Sequence, residues 1–224
     1  MLIEEAYETI EAIELGVATG DYTELKKELG DLLLHILFHS ELAREEGYFT
    51  FEEVVQTESN KLIYRHPHVF AGVNVEDAEH VSRNWEQLKR AELGRTSVLD
   101  GIPNALPALQ KAQRTQERAA KVGFDWPDSK SVWEKVREEV FEFEDELAKP
   151  DNRKEEEFGD LLFSLVNLAR HEKMDPEHAL REATRKFERR FRLVEAEVEA
   201  SGRPMASFTL AELDAIWDRV KKLE

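Results

Sequence analysis

The stretch EEVFEFEDELAKPDNRKEEEFGDLLFSLVNLARH, residues 138–171, contains the pattern that decides both the fold and the site. Glu139 and Glu142 form an E-x-x-E segment, and after a turn Glu157 and Asp160 form an E-x-x-D segment. Residues three apart on an α-helix lie on one face, about one turn from each other. Two such helices packed antiparallel would therefore bring four carboxylates to one place.

The same pattern occurs once before, near the start of the sequence. Glu5 and Glu8 form E-x-x-E, Glu28 and Asp31 form E-x-x-D, and ELGDLL in this first copy matches EFGDLL in the second. Apolar residues recur at helical spacing almost throughout, and strand alternation is not evident. We therefore predict an all-α fold made of two tandem copies of one four-helix unit.

Helix starts are predicted from capping residues. A Ser, Thr or Asp followed three residues later by Glu, or an Asp followed by Pro, is typical of a helix start. Such pairs are found at Asp21/Glu24, Thr50/Glu53, Ser131/Glu134, Asp175/Pro176 and Thr209/Glu212. A further helix is predicted from Glu76 through Trp85 to Leu93.

The stretch between the two copies is predicted to be a linker. Residues 94–107, GRTSVLDGIPNALP, include two Gly and two Pro, which favour turns and loops. The predicted organisation is a helical domain over residues 1–95, a linker over 96–107 and a second helical domain over 108–224.

Composition excludes several classes of function. The net charge is −17, from 48 acidic and 31 basic residues, which disfavours broad contacts with nucleic acid or with anionic membranes. The absence of cysteine excludes disulfides, thiolate metal sites and cysteine nucleophiles. Apolar runs are too short to span a bilayer, and the acidic start does not resemble a signal peptide. A cytoplasmic location is the expectation.

The paired carboxylates indicate a metal site. Clustered negative charges repel one another, and an oxygen-ligand site without His or Cys suits Mg²⁺, or alternatively Mn²⁺. A di-iron site in a helical bundle would need Glu-x-x-His, which the sequence lacks. Ordinary solvated helix surface is the competing interpretation of each single pair, but two matched pairs in duplicate favour the metal site.

Cationic residues near the second copy could hold phosphate. Lys186 and Arg190 lie four apart on one helix face, as do Lys61 and Arg65 in the first copy. Beside a carboxylate–metal cluster such cations could contact phosphate oxygens, although surface charge is the alternative. Trp217 could stack on a nucleobase or pack into the helical core.

At these residues the chain resembles the MazG family of nucleoside triphosphate pyrophosphohydrolases. The matching stretches are EEAYE, ELGDLL, RHPHVF, LDGIPNALPAL, RAAKVGFDW, EFGDLLFSLVNLARH and KFERRF. The resemblance implies an all-α, Mg²⁺-dependent, usually dimeric enzyme that converts a nucleoside triphosphate to the monophosphate and pyrophosphate.

The resemblance also implies roles for single residues. The metal ligands would be Glu139, Glu142, Glu157 and Asp160, with a second, weaker cluster at Glu5, Glu8, Glu28 and Asp31. Nucleotide contacts would fall on Lys135, Lys186, Arg189, Arg190 and Trp217. Glu138 is a candidate for accepting the proton of the attacking water.

One departure from the family pattern distinguishes the two copies. Family members carry about one more helix, with a WD…QTH segment, ahead of the region that matches Leu2–Glu8. In the second copy GFDW, residues 123–126, occupies the corresponding place. We therefore expect the first site to be incomplete and the second to carry catalysis. Two alternatives stay open, namely a related pyrophosphatase specific for dUTP or dCTP and a non-catalytic helical dimerisation module.

Overall fold

The computed structural model describes residues 2–72, 96–149 and 153–222, together with the single residues 77, 81, 85 and 88. These residues form α-helices and one short 3₁₀ helix, and no strand is found among them. The all-α prediction is therefore confirmed. The helix predicted from Glu76 to Leu93 lies outside the described residues, apart from those four single positions.

The first part of the chain contains four of the helices. Their bounds are α1 Leu2–Thr19, α2 Thr23–Glu45, α3 Phe51–Arg65 and α4 Pro67–Phe70. The second part contains five, which are α5 Ala108–Ala120, α6 Ser129–Leu147, α7 Lys154–His171, α8 Pro176–Ala200 and α9 Leu210–Lys221, with the 3₁₀ helix at Met205–Ser207. Among these helices, none combines the length with the apolar character that crossing a membrane would require.

The contacts between residues divide the chain into two compact units, Met1–Arg95 and Thr96–Glu224. Residues 96–107, which were expected to be a linker, fall within the second unit by this division. Arg118 on α5 holds this stretch, because its Nη1 donates to the carbonyl oxygens of Val98 at 3.1 Å and Asp100 at 2.6 Å. The assignment of separate functions to the two units stays a prediction.

In the first unit α1 and α2 pack against each other as a hairpin. The turn between them depends on Gly16, because a Cβ at this position would lie 2.5 Å from Cδ1 of Tyr22. The capping box predicted at Asp21/Glu24 is wrong. The Asp21 carboxylate instead accepts from the Thr23 backbone N–H at 2.9 Å and from its hydroxyl at 2.6 Å, so it closes a local turn ahead of the helix.

Of the four remaining predicted helix starts, three are confirmed and one is wrong. The Thr50/Glu53 and Thr209/Glu212 capping boxes are confirmed. The start at Asp175 with Pro176 in the first turn is confirmed as well. The start predicted at Ser131/Glu134 is wrong, because α6 begins at Ser129 and the Asp128 side chain caps it by accepting from the Ser131 N–H at 2.8 Å.

The second unit is organised around the pair α6 and α7. These two helices pack closely, and α7 also contacts α5. Val132 and Val136 on α6 and Val166 on α7 are among the most completely buried side chains, and burying a valine contributes roughly 1.5–3 kcal/mol. Helix α5 was not predicted from the sequence; only the connection ahead of it was.

Helices α8 and α9 have their own apolar core within this unit. It consists of Val194, Val198, Ile216 and Val220. The partly buried side chains packed against it are Met205, Phe208, Leu213 and Trp217. These residues hold the carboxyl-terminal helix on α8.

The loop between α5 and α6 is clamped onto the end of α7 by one carboxylate. Asp125 accepts from Arg170 Nη1 at 2.9 Å and also from Nη2, and its Oδ1 lies 3.0 Å from Nε2 of His171. The hydrogen bonds from the Arg170 guanidinium lower the pKa of Asp125 to about 2, from an ordinary value of 3.8. The ionised carboxylate is therefore part of the folded structure.

This clamp makes stability depend on pH. Because the folded-state pKa of Asp125 is depressed, its contribution is complete above about pH 4 and is lost as pH falls toward about 2. Asp125→Asn should lower the free energy of unfolding at pH 7 by about 1–2 kcal/mol. Urea midpoints of the two proteins, measured from pH 7 to pH 3, should converge as pH falls. A gap that stays constant over this range would contradict an electrostatic clamp.

Candidate active site

Helices α6 and α7 bring together three of the predicted carboxylates. Glu139 on α6 and Glu157 and Asp160 on α7 each offer a carboxylate oxygen within 4.8 Å of the other two. Glu139 and Glu157 are only 5% and 7% exposed, whereas Asp160 faces solvent. We call these three residues, together with Glu142, the α6–α7 cluster.

Glu142 borders the same cleft without joining the closest group. It lines a cleft of about 380 Å³ together with Glu157 and Asp160. Burial raises the pKa of Glu157 above its ordinary value, and the negative charges of Glu142, Glu156 and Asp160 raise it further, while Arg153 opposes the shift. The cluster therefore holds negative charge that the protein alone neutralises only in part.

The Glu139 carboxylate has one satisfied oxygen and one unsatisfied oxygen. Oε1 pairs with Lys135 Nζ at 2.7 Å, whereas Oε2 is buried and has no hydrogen-bond partner in the described part of the chain. Buried polar atoms in folded proteins are nearly always partnered, so an orphaned carboxylate oxygen needs an explanation. A divalent cation with oxygen ligands fits this donor set, because Glu139 lies in a group of carboxylates and no described residue donates a hydrogen bond to its Oε2.

Two cations flank the cluster, and sequence reasoning identified only one of them. Lys135, predicted to contact nucleotide, pairs with Glu138 at 2.8 Å as well as with Glu139, and these hydrogen bonds raise the pKa of Lys135. Arg153 was missed. Its Nη2 lies 3.0 Å from Oε1 of Glu157. The available signal was its position four residues before Glu157, immediately ahead of the start of α7.

The first unit repeats this arrangement in a more exposed form. Glu5, Glu28 and Asp31 also offer carboxylate oxygens within 4.8 Å of one another, but Glu5 and Glu28 are half-buried. Burial raises the pKa of Glu28, and so do the charges of Glu8, Asp31 and Glu5. His35 lies 3.7 Å from Glu5, so this copy has an imidazole at its edge.

The remaining predicted nucleotide contacts lie on α8 and α9. Lys186 and Arg189 are exposed and Arg190 is half-buried. The ion pairs of the α6–α7 cluster within the described residues are to Lys135 and Arg153, so Lys186 is not among its paired cations. Trp217 is half-buried, and its ring centroid lies 5.2 Å from that of Phe187.

Comparison with known protein families finds one domain that matches both units. The model of the MazG nucleotide pyrophosphohydrolase domain matches residues 1–70 and again residues 128–194. The chain belongs to the MazG family. The first match contains the carboxylate pairs of the first unit, and the second contains the α6–α7 cluster. The tandem duplication predicted from the repeated acidic pattern is therefore supported by two separate MazG matches.

Proteins similar to this MazG chain agree with the family match. A protein of Escherichia coli K12 named nucleoside triphosphate pyrophosphohydrolase is 46% identical over 99% of this chain and 85% of its own length. A Thermotoga maritima protein named nucleoside triphosphate pyrophosphohydrolase/pyrophosphatase MazG is 45% identical over 98% of this chain and 83% of its own. The uncharacterised Bacillus subtilis protein YabN is 44% identical, and the match covers all of this chain and 46% of that protein.

The packing of Trp217 generates a prediction. Trp217→Ala should lower the free energy of unfolding by about 2–3 kcal/mol, because the indole packs against Phe187 and the α8–α9 core. Lys186→Ala is the control, and it should change stability by less than about 0.5 kcal/mol because Lys186 is exposed. Urea unfolding measures both. A Trp217→Ala variant as stable as wild type would contradict the packing role.

Proposed function

We propose that this MazG protein hydrolyses nucleoside triphosphates to the monophosphate and pyrophosphate. Membership of the family supports the reaction class. The cluster on α6 and α7 is proposed as the site because Glu139 belongs to a group of carboxylates and its buried Oε2 has no hydrogen-bond partner among the described residues. A second, narrower possibility is that the substrates are limited to dUTP or dCTP.

The α6–α7 cluster is proposed to hold Mg²⁺, with Mn²⁺ as the alternative ion. Glu139, Glu142, Glu157 and Asp160 supply only carboxylate oxygens, the donor type that both ions prefer. A bound divalent ion would neutralise polyphosphate charge and lower the pKa of a bound water. Burial of Glu139 and Glu157 holds their carboxylates in fixed positions, so little ordering is needed when the ion binds.

Positive side chains are proposed to hold the polyphosphate. Lys135 and Arg153 already lie against the cluster, and each is paired with a carboxylate that would turn to the ion. Releasing these two cations would free them to donate to phosphate oxygens. Lys186, Arg189 and Arg190 on α8 are proposed to approach the phosphates from another side, and Trp217 to contact the nucleotide beside them.

Glu138 is proposed to accept the proton from the attacking water. Its side chain is exposed, and its carboxylate pairs with Lys135 at 2.8 Å. It is therefore adjacent to the cluster without being one of its proposed ligands. A carboxylate in this position can act as a base once Lys135 turns to phosphate.

The second unit is proposed to be the active one. Glu139 and Glu157 are buried, whereas their counterparts Glu5 and Glu28 are half-buried. Burial excludes water and strengthens the attraction between carboxylates and a cation. A more exposed cluster binds a divalent ion less tightly and positions it less accurately.

Assembly into a homodimer is part of the proposal. Leu29, Leu33, Ile36 and Leu37 form a stripe at helical spacing on α2, and all four are exposed. Such a stripe normally packs against another helix, and a second copy of this chain is the proposed partner. Sedimentation should give a mass near twice 26.0 kDa, and a monomer would contradict this part. The absence of nucleic-acid partners and the cytoplasmic location stay predictions.

A substrate panel tests the reaction. With Mg²⁺ present, the purified protein should release pyrophosphate and the monophosphate from ribo- and deoxynucleoside triphosphates, as separated by anion-exchange chromatography. Excess EDTA should abolish turnover, because the ligand set contains only carboxylates. Restriction to dUTP or dCTP would favour the narrower enzyme. Release of diphosphate and orthophosphate, or full activity in EDTA, would overturn the proposal. No turnover of any substrate would favour a non-catalytic dimerisation module.

Substitutions that remove one charge at nearly constant volume test which unit is active. Glu157→Gln and Asp160→Asn should each reduce kcat by at least about 100-fold, because each removes one charge from the proposed metal site at nearly constant volume. The matched variants Glu28→Gln and Asp31→Asn alter the equivalent positions of the first unit and should retain most of the activity. If the first-unit variants lose activity and the second-unit variants keep it, the assignment to the α6–α7 cluster is wrong.

A further inference from the structure

Glu146 is a buried carboxylate that has no role in the proposed chemistry. It lies on α6, seven residues after Glu139, and is only 7% exposed. It lines the same cleft of about 380 Å³ as Glu142, Glu157 and Asp160, but the group of oxygens within 4.8 Å of one another does not include it. A glutamate is rarely buried without a specific partner, so its contacts indicate what it does.

Both carboxylate oxygens of Glu146 have partners, and one partner lies at the start of the next helix. Oε1 accepts from Lys149 Nζ at 2.7 Å, and Oε2 accepts from the backbone N–H of Arg153 at 3.2 Å. The hydrogen bond from Lys149, and after it the one from Arg153, lower the pKa of Glu146, so its carboxylate is ionised at neutral pH. Hydrogen bonds to an ionised acceptor are stronger than those between neutral groups. Glu146 therefore ties α6 to the residue immediately ahead of α7.

The start of α7 depends on this contact with α6. Arg153 is the N-cap residue of α7, and its own side chain makes no cap hydrogen bond. In a capping box the N–H of the N-cap residue donates to a glutamate of its own helix, as that of Thr50 donates to Glu53. At α7 the acceptor is Glu146, which belongs to the neighbouring helix. Glu146 thereby fixes where α7 begins relative to α6.

Arg153 in turn contacts Glu157 through both its backbone and its side chain. Its carbonyl oxygen accepts from the Glu157 N–H at 3.0 Å, and its Nη2 lies 3.0 Å from Oε1 of Glu157. A displacement of Arg153 would therefore shift the backbone and the carboxylate of a proposed metal ligand together. Metal affinity is sensitive to such shifts, because the groups that hold the ligands orient them toward the ion.

The first unit lacks this connection at the matching positions. Counted from the E-x-x-E pair, Ala12 stands at the position of Glu146, and its methyl group offers no acceptor. Counted from the E-x-x-D pair, Glu24 stands at the position of Arg153, and its negative charge repels Glu28. The more buried cluster is therefore the one whose second helix is anchored by its first.

We propose that Glu146 is a positioning residue for the α6–α7 cluster, which holds the backbone of Arg153, and through it Glu157, in the geometry that binds the divalent ion. This inference rests on the proposed function, since it takes the cluster to be the metal site. Because the contact is with the backbone of Arg153, the guanidinium can still turn to phosphate. Glu146 acts on the affinity for the ion rather than on the chemical step.

Metal binding without nucleotide measures this role directly. The 224-residue chain carrying Glu28→Gln, which weakens the first-unit cluster, is the parent protein and is titrated with Mn²⁺ by calorimetry. Adding Glu146→Ala should weaken Mn²⁺ binding by about tenfold, because Arg153 loses the acceptor that holds it. Glu146→Gln keeps an oxygen acceptor at the same distance from the backbone, so its Mn²⁺ affinity should stay within about threefold of the parent.

Asp145→Ala is the matched control. Asp145 lines the same cleft and pairs with Lys149 at 2.6 Å, as Glu146 does, whereas the Arg153 N–H donates to Glu146. This variant removes a neighbouring negative charge and leaves the contact with α7 in place. It should change Mn²⁺ affinity by less than about twofold, because the Asp145 side chain is 71% exposed and water screens its charge.

Thermal midpoints verify that each variant is folded. Glu146→Leu takes the place of Glu146→Ala if the alanine variant does not fold, because leucine fills most of the volume of glutamate without offering an acceptor. The expected loss of Mn²⁺ affinity is again about tenfold.

Turnover separates a positioning residue from a metal ligand. In the otherwise unchanged chain, Glu146→Ala should raise the Mg²⁺ concentration for half-maximal pyrophosphate release by about tenfold. Its kcat at saturating Mg²⁺ should remain within about threefold of wild type, since all four proposed ligands are present. Glu157→Gln alters a proposed ligand and should lower kcat at every Mg²⁺ concentration.

Four results would overturn the role of Glu146. They are unchanged Mn²⁺ affinity in Glu146→Ala, equal losses in Glu146→Ala and Asp145→Ala, equal losses in Glu146→Ala and Glu146→Gln, and a loss of kcat in Glu146→Ala that saturating Mg²⁺ does not restore. A parent protein that binds no Mn²⁺ would overturn the proposed metal site as well. A parent that binds Mn²⁺ while Glu146→Ala binds it equally well overturns this inference alone.

Discussion

Two buried glutamates, Glu139 and Glu157, impose the central constraint on this molecule. Carboxylates within 4.8 Å of each other in a poorly solvated position repel strongly, and among the described residues Lys135 and Arg153 are the direct counter-charges of this buried pair. One oxygen of Glu139 remains without a partner in the described residues. Such an arrangement costs stability unless a cation completes it, which is the physical reason to regard this cluster as a site rather than as helix surface.

The surrounding structure keeps these carboxylates in place. Val132, Val136 and Val166 bury the seam between α6 and α7, so the two helices present their acidic faces at a fixed separation. The Asp125–Arg170 clamp ties the loop ahead of α6 to the end of α7.

Duplication followed by divergence explains the two units. Both contain the E-x-x-E and E-x-x-D pairs, and both match the MazG domain. They differ in burial, since Glu5 and Glu28 of the first unit are half-buried whereas Glu139 and Glu157 are buried. His35 lies at the edge of the first cluster, and the matching position of the second copy is Ser164. The same ligand residues therefore do not guarantee the same site, because solvent exposure sets how strongly they hold a cation.

The sequence by itself determined the helical class, the duplication and the identity of the clustered carboxylates, because helical spacing and E-x-x-E pairs are local properties of the chain. Two capping predictions failed, at Asp21 and Ser131, because short polar side chains can satisfy several nearby N–H groups and local sequence does not choose among them. Only the tertiary structure decided the burial of Glu139 and Glu157, the pairing of Arg153 with Glu157 and of Lys135 with Glu139, and the clamp between Asp125 and Arg170. These features join residues of different segments or depend on what covers them, and helical periodicity carries no information about either.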